Sequence, residues 1–139
     1  MRVELNRLDN DFYFEAKNED GNVMHFDASP AIGGHNKAVR PMQALLMAMG
    51  GCSAIDIIMI LKKQKQEIKD FKIVIDGERE KDKEPALWEK AHLIFELKGK
   101  IDKDKAERAV KLSMEKYCSV SKTLEVAGAK ITYEVIVTE

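Results

Sequence analysis

The sequence predicts an α+β fold on three observations: short alternating stretches at the amino end, one long apolar run in the middle, and strand, helix and strand patterns after it. At 139 residues, 45% hydrophobic and 34% charged, the chain has the size of one domain spanning 1–139 and a globular composition. A core of that size needs no disulfide or metal staple.

Residues 2–8, 12–16 and 22–27 alternate apolar and polar side chains, and Asp9-Asn10-Asp11 and Glu19-Asp20-Gly21 interrupt them. They read as an antiparallel meander. This amino end has no apolar secretory core, so a cytoplasmic location is expected. Ser29-Pro30-Ala31-Ile32-Gly33-Gly34-His35-Asn36-Lys37 follows, and its proline and paired glycines predict a loop between ordered elements.

Pro41 suits the first turn of a helix, the apolar run from 44 to 61 continues it, and Lys62 and Lys63 supply cations suited to its carboxyl end. The run is long enough to invite a membrane reading. It contains Gly50, Gly51 and Asp56, and a mid-membrane aspartate costs roughly 2.5 to 3.5 kcal/mol. Every other segment is strongly charged. A helix enclosed by protein is therefore expected, and since one small sheet covers only one side of it, a second copy is expected to cover the rest as a homodimer.

Residues 71–75 and 87–97 resume strand character across the charged link Glu80-Lys81-Asp82-Lys83-Glu84-Pro85. Asp102 is a suitable amino cap for a helix whose Ala106, Ala109, Val110, Met114 and Tyr117 recur at three- and four-residue steps. Cys118 ends that helix. A shorter helix over 119–127 stops at Gly128, and Ile131, Tyr133, Val135 and Val137 alternate as a closing strand.

Lysine plus arginine (23) nearly cancel aspartate plus glutamate (24), which leaves no net field to hold nucleic acid or an anionic membrane. Two cysteines 66 positions apart exclude a short metal-ligand or CxxC spacing, and His25, His35 and His92 lie in different elements, so no metal is expected. A cysteine hydrolase would need a histidine partner, and none has a recognisable pairing with sulfur. Cys52 follows two adjacent glycines inside the long helix, where each glycine costs about 1 kcal/mol relative to alanine. Something must approach the backbone there: either a second helix across a dimer, with Cys52 a small buried hydrophobe, or a substrate bound for sulfur.

The segment Arg40-Pro41-Met42-Gln43-Ala44-Leu45-Leu46-Met47-Ala48-Met49-Gly50-Gly51-Cys52-Ser53-Ala54-Ile55-Asp56 closely resembles the central-helix motif of the OsmC/Ohr family. Cys118, within Glu115-Lys116-Tyr117-Cys118-Ser119-Val120, and the order of elements along the whole chain extend the resemblance. It implies antiparallel sheets wrapped around a long buried helix, an interlocked homodimer with active sites at the subunit interface, and action on hydroperoxides, organic ones often preferred. In that scheme Cys52 attacks the peroxide, Cys118 resolves the sulfenic acid as a disulfide, and an external dithiol, a lipoyl-bearing protein being the family's suggestion, restores both thiols. No cofactor is needed.

One position departs from the pattern. The family's best peroxidases hold an activating arginine with a glutamate directly after the helix-opening proline, and here that position is Met42. Arg40, beside the helix start, and Arg7, ending the first strand, are the substitute activators, and a solvated surface arginine is the alternative for each. Asp56, one turn beyond Cys52, is a candidate to orient an arginine, or else a structural carboxyl. Met42, Met47, Met49 and Met59 are core residues by default, and some could wall an apolar substrate pocket. The rival function is a non-catalytic dimer of the same fold that binds a small apolar or thiol-reactive ligand.

Overall fold

Two side-chain devices close the amino-terminal meander. The Asp9 carboxyl accepts from the N–H groups of Asp11 (2.9 Å) and Tyr13 (3.1 Å), and the Asn18 amide oxygen accepts from those of Asp20 (3.1 Å) and Asn22 (2.9 Å). Both are turns in which a side chain replaces a backbone acceptor. In the computed structural model, which describes residues 1–139, they join β1 (Val3–Arg7), β2 (Phe14–Asn18) and β3 (Val23–Phe26) into an antiparallel sheet. The register sets Leu5 opposite Ala16 and Ala16 opposite Met24, with Arg7, Phe14 and Phe26 as the next row on the same face.

The predicted loop after β3 contains one 3-10 turn, Pro30–Ile32, and is organised by a buried carboxyl. Asp27 accepts from the N–H groups of Ala28 (2.8 Å), His35 (3.1 Å) and Lys37 (3.0 Å). A Cβ at Gly34 would stand 2.0 Å from the Ala28 carbonyl oxygen, so only glycine permits this closure.

The long helix, α1 (Pro41–Lys63), runs as its punctuation predicts. Its Gln43 side chain caps the start by accepting from the Arg40 N–H at 3.0 Å. The contacts of the chain divide it into two compact units, Met1–Leu45 and Leu46–Glu139.

In the second unit, β4 (Glu67–Arg79) pairs antiparallel with β5 (Trp88–Lys100), and β6 (Lys130–Thr138) pairs with β5 in parallel. The sheets are antiparallel as expected except at this last pair. A parallel neighbour requires a crossover rather than a hairpin, and α2 (Lys103–Leu112) and α3 (Ser119–Val126) provide it. Asp102 caps α2 as expected, accepting from the Lys105 N–H at 3.0 Å. β5 directs Ala91, Leu93, Phe95 and Leu97 inward, where Met49, Ile57, Leu61, Ala106, Ala109 and Val110 complete the core. Burying each large member stabilises by about 1.5–3 kcal/mol.

The helix expected to be buried all round is covered on one face alone. Met49, Ser53, Ile57 and Leu61 are fully buried, whereas Met47, Ile55 and Met59 are 52%, 63% and 51% exposed. The reason is the one that composition suggested: the residues available in one chain cover one side of a helix that is apolar on both. By length and composition α1 could also cross a membrane. Its covered face nevertheless meets a protein core and itself carries the buried polar Ser53.

Candidate functional site

Cys52 lies at the seam between the two faces of α1, half-buried, one residue before Ser53 on the covered face and one after Gly51 on the open face. The glycine pair divides its work between these faces. A Cβ at Gly50 would come within 3.0 Å of Ile75 on β4, so this glycine permits close packing of helix on sheet. A Cβ at Gly51 would meet nothing within 4 Å. Within one chain the packing explanation therefore accounts for Gly50, and the space beside Gly51 is open.

Cys118 reaches the same place from the other side of the core. After α2 the chain widens into a π-turn, Ser113–Tyr117, closed by the Cys118 N–H donating to the Ser113 carbonyl at 2.8 Å. Cys118 then leaves the helical conformation, and its sulfur accepts from the Ser121 N–H at 3.4 Å, capping α3. Its thiol is directed at the Met49 carbonyl at 3.8 Å, one helical turn before Cys52, and Cys52 packs against the same core cluster. Both cysteines are free thiols.

Burial pushes the Cys118 thiol up to about 11, because removal from water disfavours the charged form. The Ser121 N–H opposes the rise, hydrogen bonding and charge repulsion from Cys52 reinforce it, and the Val120 N–H again opposes it. At neutral pH Cys118 is a protonated, nearly inaccessible sulfur beside a half-exposed one.

Asp56, one helical turn beyond Cys52, accepts from the Ser113 hydroxyl at 3.1 Å and from no arginine. Ser113 is fully buried, and sequence reasoning missed it, because a serine within an apolar stripe carries no periodic signal. Arg40 is tied into its own loop, its guanidinium donating to the Ala38 carbonyl at 3.0 Å and to the Asn36 side chain at 2.8 Å. Arg7 projects from the apolar face of the first sheet with no side-chain partner in the chain. Of the four methionines considered for a pocket wall, Met49 is core and Met47 and Met59 stand on the open face of α1.

The histidines have partners elsewhere. His92 meets the Thr132 hydroxyl at 2.7 Å, His25 meets Glu15 at 3.5 Å, and His35 meets Asp11 at 2.6 Å. The last pair joins Asp9 in a cluster whose potential ligand atoms lie within 4.8 Å of one another, an approach invisible in sequence because the histidine is 24 residues from Asp11. Lys37 stands 3.8 Å from Asp9, so the cluster already holds a cation of its own.

Comparison with known proteins places this geometry. The profile of the OsmC-like protein family matches residues 34–134, which include both cysteines. Protein YhfA of Escherichia coli strain K12 is 46% identical over 103 residues, covering 73% of this chain and 76% of that protein. A hypothetical protein from Aquifex aeolicus VF5 superposes with a TM-score of 0.80 at 37% identity, over 99% of this chain and 97% of that one. OhrB, the organic hydroperoxide resistance protein of Bacillus subtilis, shares the fold at a TM-score of 0.66 and 21% identity, with 96% of each chain covered. By the profile match, and by identity to relatives over most of its length, this chain belongs to the OsmC-like family.

Proposed function

We propose that the chain is a thiol-dependent peroxidase that reduces organic hydroperoxides. The observation that carries this reading is that two cysteines 66 positions apart in sequence come to one edge of the core, where the Cys118 thiol faces the Met49 carbonyl one helical turn before Cys52 and Cys52 packs against the cluster that contains Cys118. Their different environments support different roles. Cys52 is reachable and attacks the distal oxygen as a thiolate, so the O–O bond breaks, an alcohol leaves after taking a proton, and a sulfenic acid remains. The Cys118 sulfur then attacks Cys52, the S–O bond breaks, and hydroxide departs with the Cys118 proton as water. An external dithiol, of the kind carried by lipoyl proteins, exchanges with the disulfide and returns both thiols. No bound cofactor takes part.

A second copy of the chain completes the site. The open face of α1, with Met47, Ile55 and Met59 exposed beside the space at Gly51, is the surface on which the homodimer forms. Arg40 and Arg7 stay the candidate activating cations; the guanidinium of Arg40 already donates to Ala38 and Asn36, which leaves Arg7 as the one with no partner to give up. Methionine walls at the interface favour alkyl or aryl hydroperoxides over hydrogen peroxide, since burial of an apolar tail supplies binding energy. The cycle is cytoplasmic, where thiols are kept reduced.

The test exposes the full chain to cumene hydroperoxide and follows Cys52 and Cys118 by mass spectrometry. A Cys52–Cys118 disulfide is the expected product; Cys52→Ser abolishes consumption and Cys118→Ser leaves oxidised Cys52 without a disulfide. Wild-type protein that forms no disulfide and consumes no hydroperoxide overturns the peroxidase reading in favour of a non-catalytic ligand-binding dimer.

A further inference from the structure

Ser113 links the two cysteine-bearing segments through two different atoms. Its carbonyl oxygen accepts the Cys118 N–H at 2.8 Å, the bond that closes the π-turn, and its hydroxyl donates to Asp56 on α1 at 3.1 Å. The Ser53 carbonyl, at 3.4 Å, is a longer second acceptor for the same proton. Ser113 is fully buried, so its hydroxyl has these acceptors in place of water, and buried polar groups that lose a partner are costly. Asp56 follows Cys52 by four residues and therefore lies over it on the same side of α1. One serine thus ties the backbone of the second cysteine to the helical turn that follows the first.

The π-turn gives this tie its consequence. In an unbroken α-helix the Cys118 N–H would bond one residue later, to Met114; the wider turn moves the register by one residue and hands that bond to Ser113. Beyond it, the sulfur is aimed by the Ser121 N–H and the Met49 carbonyl, and the Cys118 carbonyl is held by the Lys122 N–H at 3.1 Å. A loose Ser113 would let the carbonyl, the turn and the sulfur drift together.

We propose that Ser113, held by Asp56, is a positioning residue for disulfide closure, placing the Cys118 sulfur for attack on the Cys52 sulfenic acid. This deepens the peroxidase reading and rests on it. Disulfide closure competes with a second oxidation, in which another hydroperoxide adds an oxygen to the sulfenic acid, giving sulfinic acid and one alcohol. The S–S bond needs Cα atoms within about 7 Å and suitably aimed sulfurs, so misplacement slows closure while the second oxidation continues.

The experiment treats the full chain with a dose series of cumene hydroperoxide and measures the ratio of Cys52 sulfinic acid to Cys52–Cys118 disulfide. Ser113→Ala and Asp56→Ala each raise that ratio about tenfold, the rate equivalent of one lost hydrogen bond. The double variant raises it no further than either alone, as two ends of one bond require. Asp56→Asn keeps an acceptor oxygen and returns the ratio to within about twofold of wild type. Loss of fold would separate the sulfurs and raise the ratio as well, so the ratio is read only below each variant's melting temperature, where Asp56→Asn separates positioning from folding; an unchanged ratio in Ser113→Ala and Asp56→Ala overturns the proposal. If wild-type protein forms a disulfide and the variants match it, the positioning role fails while the peroxidase reading stands. If wild-type protein forms none, the positioning role falls, and the peroxidase reading falls with it when no hydroperoxide is consumed either.

Discussion

Residues 1–40 bury one side chain, the carboxyl of Asp27, whereas residues 46–139 bury a cluster of Met49, Ile57, Leu61, Leu93, Phe95, Leu97 and Val110 at 1% exposure or less. The first unit is held by hydrogen bonds at its turns and along its strands, and it leaves Val3, Leu5 and Met24 more than 40% exposed. The second holds itself by burial and contains both cysteines. A three-stranded sheet without an apolar face to bury against is marginal in water, so the contrast is one of self-sufficiency: the second unit has a core of its own, and the first has none. Arg7 stands in the unit without a core.

Core truncation gives the largest expected effect on this contrast. Phe95→Ala, at the centre of the second unit, costs about 3–5 kcal/mol through lost transfer energy and the cavity left behind. Leu5→Ala on the first sheet costs under about 1 kcal/mol when measured on dissociated chains, because the side chain there is already half in water. Urea unfolding of both variants at dilute and concentrated protein measures the difference. A cost for Leu5→Ala that grows with concentration locates the second copy on that sheet; equal costs for the two variants in dissociated chains would remove the contrast.

Acid acts next, and locally. The N–H groups of Lys37, Ala28 and His35, with Lys37 the largest contributor, hold the Asp27 carboxyl below its ordinary value of 3.8, while burial works against them. A depressed pKa stabilises in one direction: the contribution is complete above 3.8 and is lost as pH falls through the lower folded value. Amide exchange in the loop from Ala28 to Lys37 is therefore protected at neutral pH and loses protection in acid before the amides of β5 do. Asp27→Asn removes the charged acceptor, so the loop is weakened at neutral pH, approaches wild type in acid, and its acid dependence flattens. Loss of protection in β5 at the same pH as the loop would break the distinction between the units.

The parts of this arrangement that were legible in sequence share a physical cause. Pro41 and the lysine pair at 62 and 63 mark α1 because helix ends demand specific chemistry, and Asp102 marks α2 for the same reason. The ends of β4 were hidden, since Glu67 to Asp70 and Asp76 to Arg79 are largely charged and pair across the sheet in water; the Lys72–Glu96 contact at 3.4 Å and the Lys90–Glu78 contact at 3.7 Å belong to such an exposed face. The parallel direction of β6 was hidden because alternation reports which face a residue occupies and never which way the strand runs. At the site, neighbouring glycines and the family motif marked Cys52, but the tie through Ser113 depends on a π-turn, which shifts the register by one residue and leaves no periodic trace. Asp27 was missed although a signal existed: an aspartate immediately before a proline- and glycine-rich loop is a residue type that closes such loops.

Alkali acts most subtly, on the sulfur pair itself. Burial is the largest reason that the Cys118 thiol rises from 9.0 to about 11, and the neighbouring Cys52 adds to it. A raised pKa in a group that is neutral when protonated stabilises the fold fully below 9.0, and that contribution is lost as pH rises toward about 11. The two causes separate in Cys52→Ser, whose single cysteine is Cys118. Its titration midpoint, read by pulsed alkylation and mass spectrometry across a pH series, falls below the wild-type value because the neighbouring sulfur is gone, yet stays above 9.0 because burial remains. A midpoint unchanged from wild type would mean that the sulfurs do not interact. A midpoint at 9.0 would mean that Cys118 is not buried, and with it the assignment of the protonated, inaccessible partner to Cys118 would fall.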